Sequence, residues 1–104
     1  MKLYQQGDVL MHQIATLPAK AQKKATTGRI ILAAGEMTNH HHAVIEEEGV
    51  TLYTLDEILY LVADHEVSVT HEEHGVVTIP AGTYQIGIVQ EYDYMAHEKR
   101  TVRD

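Results

Sequence analysis

Two short blocks of the chain combine histidine and carboxylate in spacings that suit a metal ion. The first is Gly35-Glu36-Met37-Thr38-Asn39-His40-His41-His42-Ala43-Val44-Ile45-Glu46. On a strand, His40, His42 and Glu46 share parity, so two imidazoles and a carboxylate leave one face, with neighbouring same-face Cα atoms about 7 Å apart. Imidazoles at that spacing can converge on one ion at about 2.0–2.1 Å, and the carboxylate completes a facial set suited to Zn(II), Mn(II) or Fe(II). His41 has the opposite parity and falls outside the set. The plain alternative is an exposed turn edge that happens to be rich in histidine.

The second block is Thr70-His71-Glu72-Glu73-His74-Gly75. If a strand ran through it, His71 and His74 would face opposite ways; in a tight turn they would meet. His71 shares parity with Val67 and Val69, which directs it toward the inside of a sheet. The plain alternative there is a buried imidazole hydrogen-bonded to backbone. The H-E-x-x-H helix of zinc proteases does not fit, because the second histidine comes one position early and the surroundings are rich in β-formers.

Other chemistries are excluded more directly. The chain has no cysteine, which removes disulfides, thiolate zinc sites and cysteine nucleophiles. It contains no G-x-S-x-G, no phosphate-cradling glycine loop and no dinucleotide fingerprint. The only serine, Ser68, lies between Val67 and Val69 in a strand-like run. Adjacent carboxylates at 46–48 and 72–73 point apart on a strand and read as solvated edges.

Charge is unevenly spread. The net charge is −7, and between Arg29 and Lys99 there is no Lys or Arg, while that stretch holds 13 of the 15 acidic residues and 7 of the 8 histidines. Such a block repels a phosphate backbone, so nucleic acid is not an expected partner. It attracts divalent cations and favours protonated imidazoles, which supports either a metal site or a pH-responsive surface. No run approaches the ~18 apolar residues of a membrane span, and the first residues lack the apolar stretch of a signal peptide. The expectation is a cytoplasmic protein that does not meet a membrane. The partners left are a second copy of the chain or another protein.

Strands must position these residues. At 104 residues the chain is expected to form one domain over 1–104, burying roughly two-thirds of the surface its unfolded form exposes. Period-2 alternation marks strands at 8–14, 29–33, 41–46, 50–53, 58–63, 67–71, 76–79 and 84–92. Residues 58–63 are apolar on both faces, as in a strand covered on both sides or in a closed barrel. Asp64-His65-Glu66 has hairpin length, so 58–63 and 67–71 are predicted to pair antiparallel. Residues 19–28 read as a mobile loop and 99–104 as a short basic tail, and Leu55-Asp56-Glu57 is too short and too flanked by β-formers to open a long helix. The expected fold class is all-β: a small single-domain barrel or two-sheet jelly roll of about eight short strands. With six Tyr and no Phe or Trp, the core must rest on Ile, Val and Leu.

The blocks Gly7-Asp8-Val9-Leu10, Gly35-Glu36-x-Thr38-x-His40-x-His42, Thr70-His71-Glu72-Glu73-His74, Pro80-x-Gly82-x-Tyr84 and Gln90-Glu91-Tyr92 together resemble a family of small, uncharacterised bacterial and prophage-encoded all-β proteins. The resemblance covers nearly the whole chain and implies that the blocks belong to one domain. A second, partial resemblance is to cupins, whose first motif places H-x-H and then Glu after a Gly and whose second holds P-x-G followed by His. Gly35, His40, His42 and Glu46 approximate the first, one residue short between Gly and His. Pro80-Ala81-Gly82-Thr83-Tyr84-Gln85 approximates the second, with Gln85 where the cupin pattern has a metal-binding His. On that resemblance His71 or His74 would supply the missing ligand.

The residues thus predict a domain that binds one divalent transition metal (Zn, Mn or Fe) through His40, His42 and one or both of His71 and His74, with Glu46 as the candidate carboxylate ligand, provided that the two blocks are neighbours. An open coordination position would activate water or a small oxygen-bearing molecule; whether a substrate is turned over is left open. The competing expectation is a non-enzymatic protein-interaction module of a prophage or mobile element, with no metal. A third is a pH-responsive surface built from the same His and Glu.

Overall fold

A computed structural model describes residues 2–34, 41–93 and 98–101. It contains twelve strands: β1 (Leu3–Gln6), β2 (Val9–Ile14), β3 (Gln22–Lys23), β4 (Arg29–Ala34), β5 (His41–Ile45), β6 (Val50–Leu55), β7 (Ile58–Ala63), β8 (Val67–Val69), β9 (Val77–Ile79), β10 (Gly82–Ile88), β11 (Gln90–Asp93) and β12 (Glu98–Thr101). No helix forms among the described residues, and none is long and apolar enough to cross a membrane. The all-β class is as expected.

Six strands make one antiparallel sheet in the order β1-β2-β10-β7-β6-β3. Two of its turns are two-residue hairpins. Gln6 lies opposite Val9, and Gly7 takes φ +56°, as the first central position of a II′ turn demands. At the other, Leu55 lies opposite Ile58, and Asp56 (φ 51°) and Glu57 (φ 68°) both enter the left-handed region. That is type I′ geometry made without the Asn-Gly pair that announces it in sequence.

β7 lies between β6 and β10, and consecutive residues Tyr60 and Leu61 are 5% and 0% exposed, so the strand is covered on both faces as its composition predicts. Both of its edges are therefore occupied. Asp64-His65-Glu66 does not close a hairpin but carries the chain to a second layer, where β8 pairs β9 with Val67 opposite Ile79. The predicted pairing of 58–63 with 67–71 is corrected on this point.

The second layer joins two hairpins, β4–β5 and β8–β9, through one bridge between Ala43 and Thr70. The register of β4 shifts between Ile31 and Ala33, and Leu32 at this bulge is buried. A single apolar cluster is drawn from both layers: Val9, Met11 and Tyr84 from the six-stranded sheet meet Ile30, Val44, Val69 and Ile79. Tyr84 is fully buried, and its hydroxyl donates to the Pro80 carbonyl at 2.7 Å, which meets the need of a buried phenol for a partner.

The six-stranded sheet ends in open strands β1 and β3, so it is not a closed barrel. The strands beyond the eight expected are short. β3 falls in the segment read as a loop and adds Gln22 and Lys23 to the edge of β6. β12 falls in the basic tail and pairs β11. Runs of two to four residues are too short for alternation to declare them.

Candidate functional site

The two histidine blocks are neighbours. Ala43 in β5 and Thr70 after β8 exchange backbone hydrogen bonds, Ala43 N–H to Thr70 O at 3.0 Å and Thr70 N–H to Ala43 O at 2.8 Å. A third tie comes from Glu72, whose Oε2 accepts from the His41 N–H at 2.8 Å. That bond is the first cause holding the Glu72 carboxyl below its ordinary range. The chain leaves β8 at Thr70 and turns over 71–74, while β5 passes alongside.

His42 projects inward from β5 and is 1% exposed, whereas its neighbour His41 is half-buried, as opposite parity requires. Around the His42 ring, the His71 ring lies at 4.3 Å between centroids and the His74 ring at 5.8 Å. His71 and His74 are 4.6 Å apart. They meet because 71–74 is a turn and not a continued strand. The turn is closed by His71 itself: its Nδ1 accepts from the Glu73 N–H at 3.0 Å and the His74 N–H at 3.2 Å.

Two residues that the sequence reading passed over complete the cluster. Gln6, at the end of β1 and 2% exposed, places its Oε1 2.9 Å from His42 Nδ1, and its Nε2 donates to the carbonyls of Val69 and Gly75, both at 2.9 Å. Asp8, in the β1–β2 turn, has Oδ1 3.6 Å from His42 Nε2. Asp8 stands in the Gly7-Asp8-Val9-Leu10 block, so it carried a signal. Gln6, an ordinary residue before a turn glycine, carried none.

Glu46 is not brought to this cluster. It lies four residues beyond His42, about 13 Å along an extended strand. Its carboxylate accepts from the Thr26 hydroxyl and from the Gly28 N–H, contacts that hold its carboxyl below the ordinary range. Shared parity placed it on the right face but too far along. His40 lies outside the described residues, as does the Gly35 of the cupin-like block. In the second cupin-like block, Gln85 alternates with the buried Tyr84 and Ile86, so it faces away from the core.

Among the described residues there is no group of three or more His, Cys, Asp or Glu side chains that could hold a metal ion as it stands. A pocket of about 210 Å³ opens beside the cluster, lined by Arg29, His41, Thr70, His71 and Glu72.

A second histidine grouping lies on the surface. The His65 ring sits between two carboxylates, with Nδ1 2.5 Å from Asp64 Oδ1 and Nε2 2.8 Å from Glu47 Oε1. The Glu47 bond first, and the Asp64 bond after it, raise the His65 pKa above its ordinary value. Both ring nitrogens are engaged, so this is a clip between loops. It ties the β5–β6 turn to the crossover after β7.

Fold and site together define a small two-layer all-β domain with a histidine cluster set against its core. The chain belongs to the family described as Domain of unknown function (DUF8820), whose model matches residues 5–89. The matched span takes in Gln6, Asp8 and both histidine blocks and ends before β11. No curated protein and no solved structure matches the chain.

Proposed function

We propose that this domain binds one divalent transition-metal ion between His42, His71 and His74, with Asp8 as the carboxylate donor. Ring spacing carries the reading. An ion about 2.1 Å from an imidazole nitrogen is about 3.2 Å from the ring centre, so three rings disposed tetrahedrally around it lie about 5 Å apart. The three observed separations, 4.3, 4.6 and 5.8 Å, bracket that value. Two donors sharing such an ion are about 3.4 Å apart, close to the 3.6 Å between His42 Nε2 and Asp8 Oδ1.

Electrostatics supports the same reading. A carboxylate facing a ring nitrogen against the core favours a positive charge between them, and a metal ion supplies one. His40 stays in the proposed ligand set on parity with His42; Glu46 leaves it. A set of imidazoles with one carboxylate suits Zn(II), Mn(II) or Fe(II). The pocket by Arg29 and His71 borders one side of the proposed ligand set, where water or a small oxygen-bearing molecule would approach.

Elemental analysis of the full chain purified without chelator tests this, beside the double variant His42→Ala/His71→Ala with its fold checked by circular dichroism. About one metal per chain in the wild type and its loss in the variant is the expected result. No metal uptake by folded wild type after addition of Zn(II), Mn(II) or Fe(II) overturns the proposal.

A second reading, a protein-interaction module of the prophage-encoded kind, is favoured by one observation. β1 is an open sheet edge, and its Leu3 is 57% exposed, a combination that invites pairing with another strand. That reading expects no metal in either protein.

A further inference from the structure

We infer that Gln6 is the positioning residue of the histidine cluster: it fixes His42 as the Nδ1–H tautomer and so presents the Nε2 lone pair on the side of Asp8. The purpose of this device rests on the proposed metal reading, but its test does not.

Around the Gln6 carboxamide the donors and acceptors have no choice. The carbonyls of Val69 and Gly75 can only accept, and both lie 2.9 Å from one end of the Gln6 carboxamide. That end must be the NH2 group. The other end is then the carbonyl oxygen, which can only accept, and it lies 2.9 Å from His42 Nδ1. The proton is therefore on Nδ1, and in the neutral ring Nε2 carries the lone pair. Turning the amide over would set an oxygen against two carbonyl oxygens and forfeit both of those bonds, and only the contact with the ring could be recovered, by the other tautomer. With Gln6 2% and His42 1% exposed, bulk water cannot make good the loss.

The placement is economical in sequence. Gln6 ends β1 and Asp8 follows two residues later in the turn. One hairpin end thus supplies both the group that sets the tautomer and the carboxylate that faces the lone pair. His71 is held the other way. Its Nδ1 accepts from two turn amides, which leaves the proton of the neutral ring on Nε2. The cluster is therefore asymmetric. His42 is the ring preset as an electron-pair donor, whereas His71 is preset as a hydrogen-bond donor and would join the proposed ligand set only by losing its Nε2 proton or by releasing the two turn amides from Nδ1. His42 is accordingly the ring that would hold an ion without a change of tautomer.

The experiment is a long-range 1H–15N correlation spectrum of the histidine rings in the full, uniformly 15N-labelled, metal-free chain at a pH where the rings are neutral. His42 is expected to show a pyrrole-type Nδ1 and a pyridine-type Nε2, and His71 the reverse. In Gln6→Leu the His42 pattern is expected to move to the Nε2–H form that free imidazoles favour. Gln6→Glu, which keeps an acceptor for Nδ1–H, is expected to retain the wild-type pattern while losing the bonds to Val69 and Gly75. A wild-type His42 in the Nε2–H form overturns the inference whether or not any variant folds, and so does an unchanged His42 pattern in folded Gln6→Leu. Zn(II) titration then separates the two proposals. Gln6→Leu should bind on the order of 10–100-fold more weakly, whereas a wild type with the expected tautomer and no Zn(II) affinity sinks the metal reading alone.

Discussion

Ala43 and Thr70, 27 residues apart in the chain, are joined by two backbone hydrogen bonds of 3.0 and 2.8 Å. This one bridge turns two hairpins into a layer and sets the turn carrying His71 and His74 beside His42. The Thr70 hydroxyl adds a bond to the Ala43 carbonyl at 3.3 Å.

Thr70→Pro tests that relationship. Proline removes the N–H that Ala43 O accepts, at a cost of about 1–3 kcal/mol. The expected outcome is a lower urea midpoint together with loss of most metal uptake. Full uptake by the variant would mean that Glu72 alone, through the His41 N–H, can place the turn.

His42 and His74 should separate stability from binding. His42→Ala empties a buried site and strands Gln6 Oε1, costing about 2–4 kcal/mol. His74 is half-buried, and His74→Ala should cost about 1 kcal/mol or less. Both should lose metal. Urea unfolding and metal analysis on the two variants check this, and equal stability losses would contradict the placement of His42 in the core.

His65 predicts a pH dependence of definite sign. Its folded pKa is raised above the ordinary 6.5, by Glu47 first and Asp64 second. The stabilisation is therefore fully present below the unfolded histidine value and is lost as the pH rises through the folded one. His65→Gln should lower the melting temperature in mildly acidic buffer and converge with the wild type under alkaline conditions. A constant difference across that range would show that the clip between Glu47 and Asp64 does not form.

The β6–β7 turn should be improvable. Glu57 at φ 68° is in a conformation that costs an L-residue roughly 1–2 kcal/mol. Glycine relieves that, offset by roughly 0.5–1 kcal/mol from its freer unfolded chain. Glu57→Gly should therefore stabilise by about 0.5–1 kcal/mol, read as a higher urea midpoint at unchanged slope.

Much of the architecture was legible because burial on one face of a strand writes period two into the sequence. Val67 and Val69, buried at 4% and 0%, and the doubly apolar β7 were visible this way. The partner of each strand was not. Three residues after β7 suffice for a hairpin, and nothing local says that both edges of β7 are already taken by β6 and β10. The I′ turn at Asp56-Glu57 was hidden for a related reason: strand pairing on either side imposes a backbone that neither residue favours.

The sequence by itself determined that the domain is all-β, that cysteine chemistry is absent, and that His71 is directed toward the inside, since each follows from parity or composition. Only the tertiary structure decided which inward groups meet. Parity carries no information about distance along a strand, so it admitted Glu46, which lies too far from His42. Nor does it carry information about contact between strands, so it passed over Gln6 and Asp8, which the β1–β2 turn delivers to the same ring.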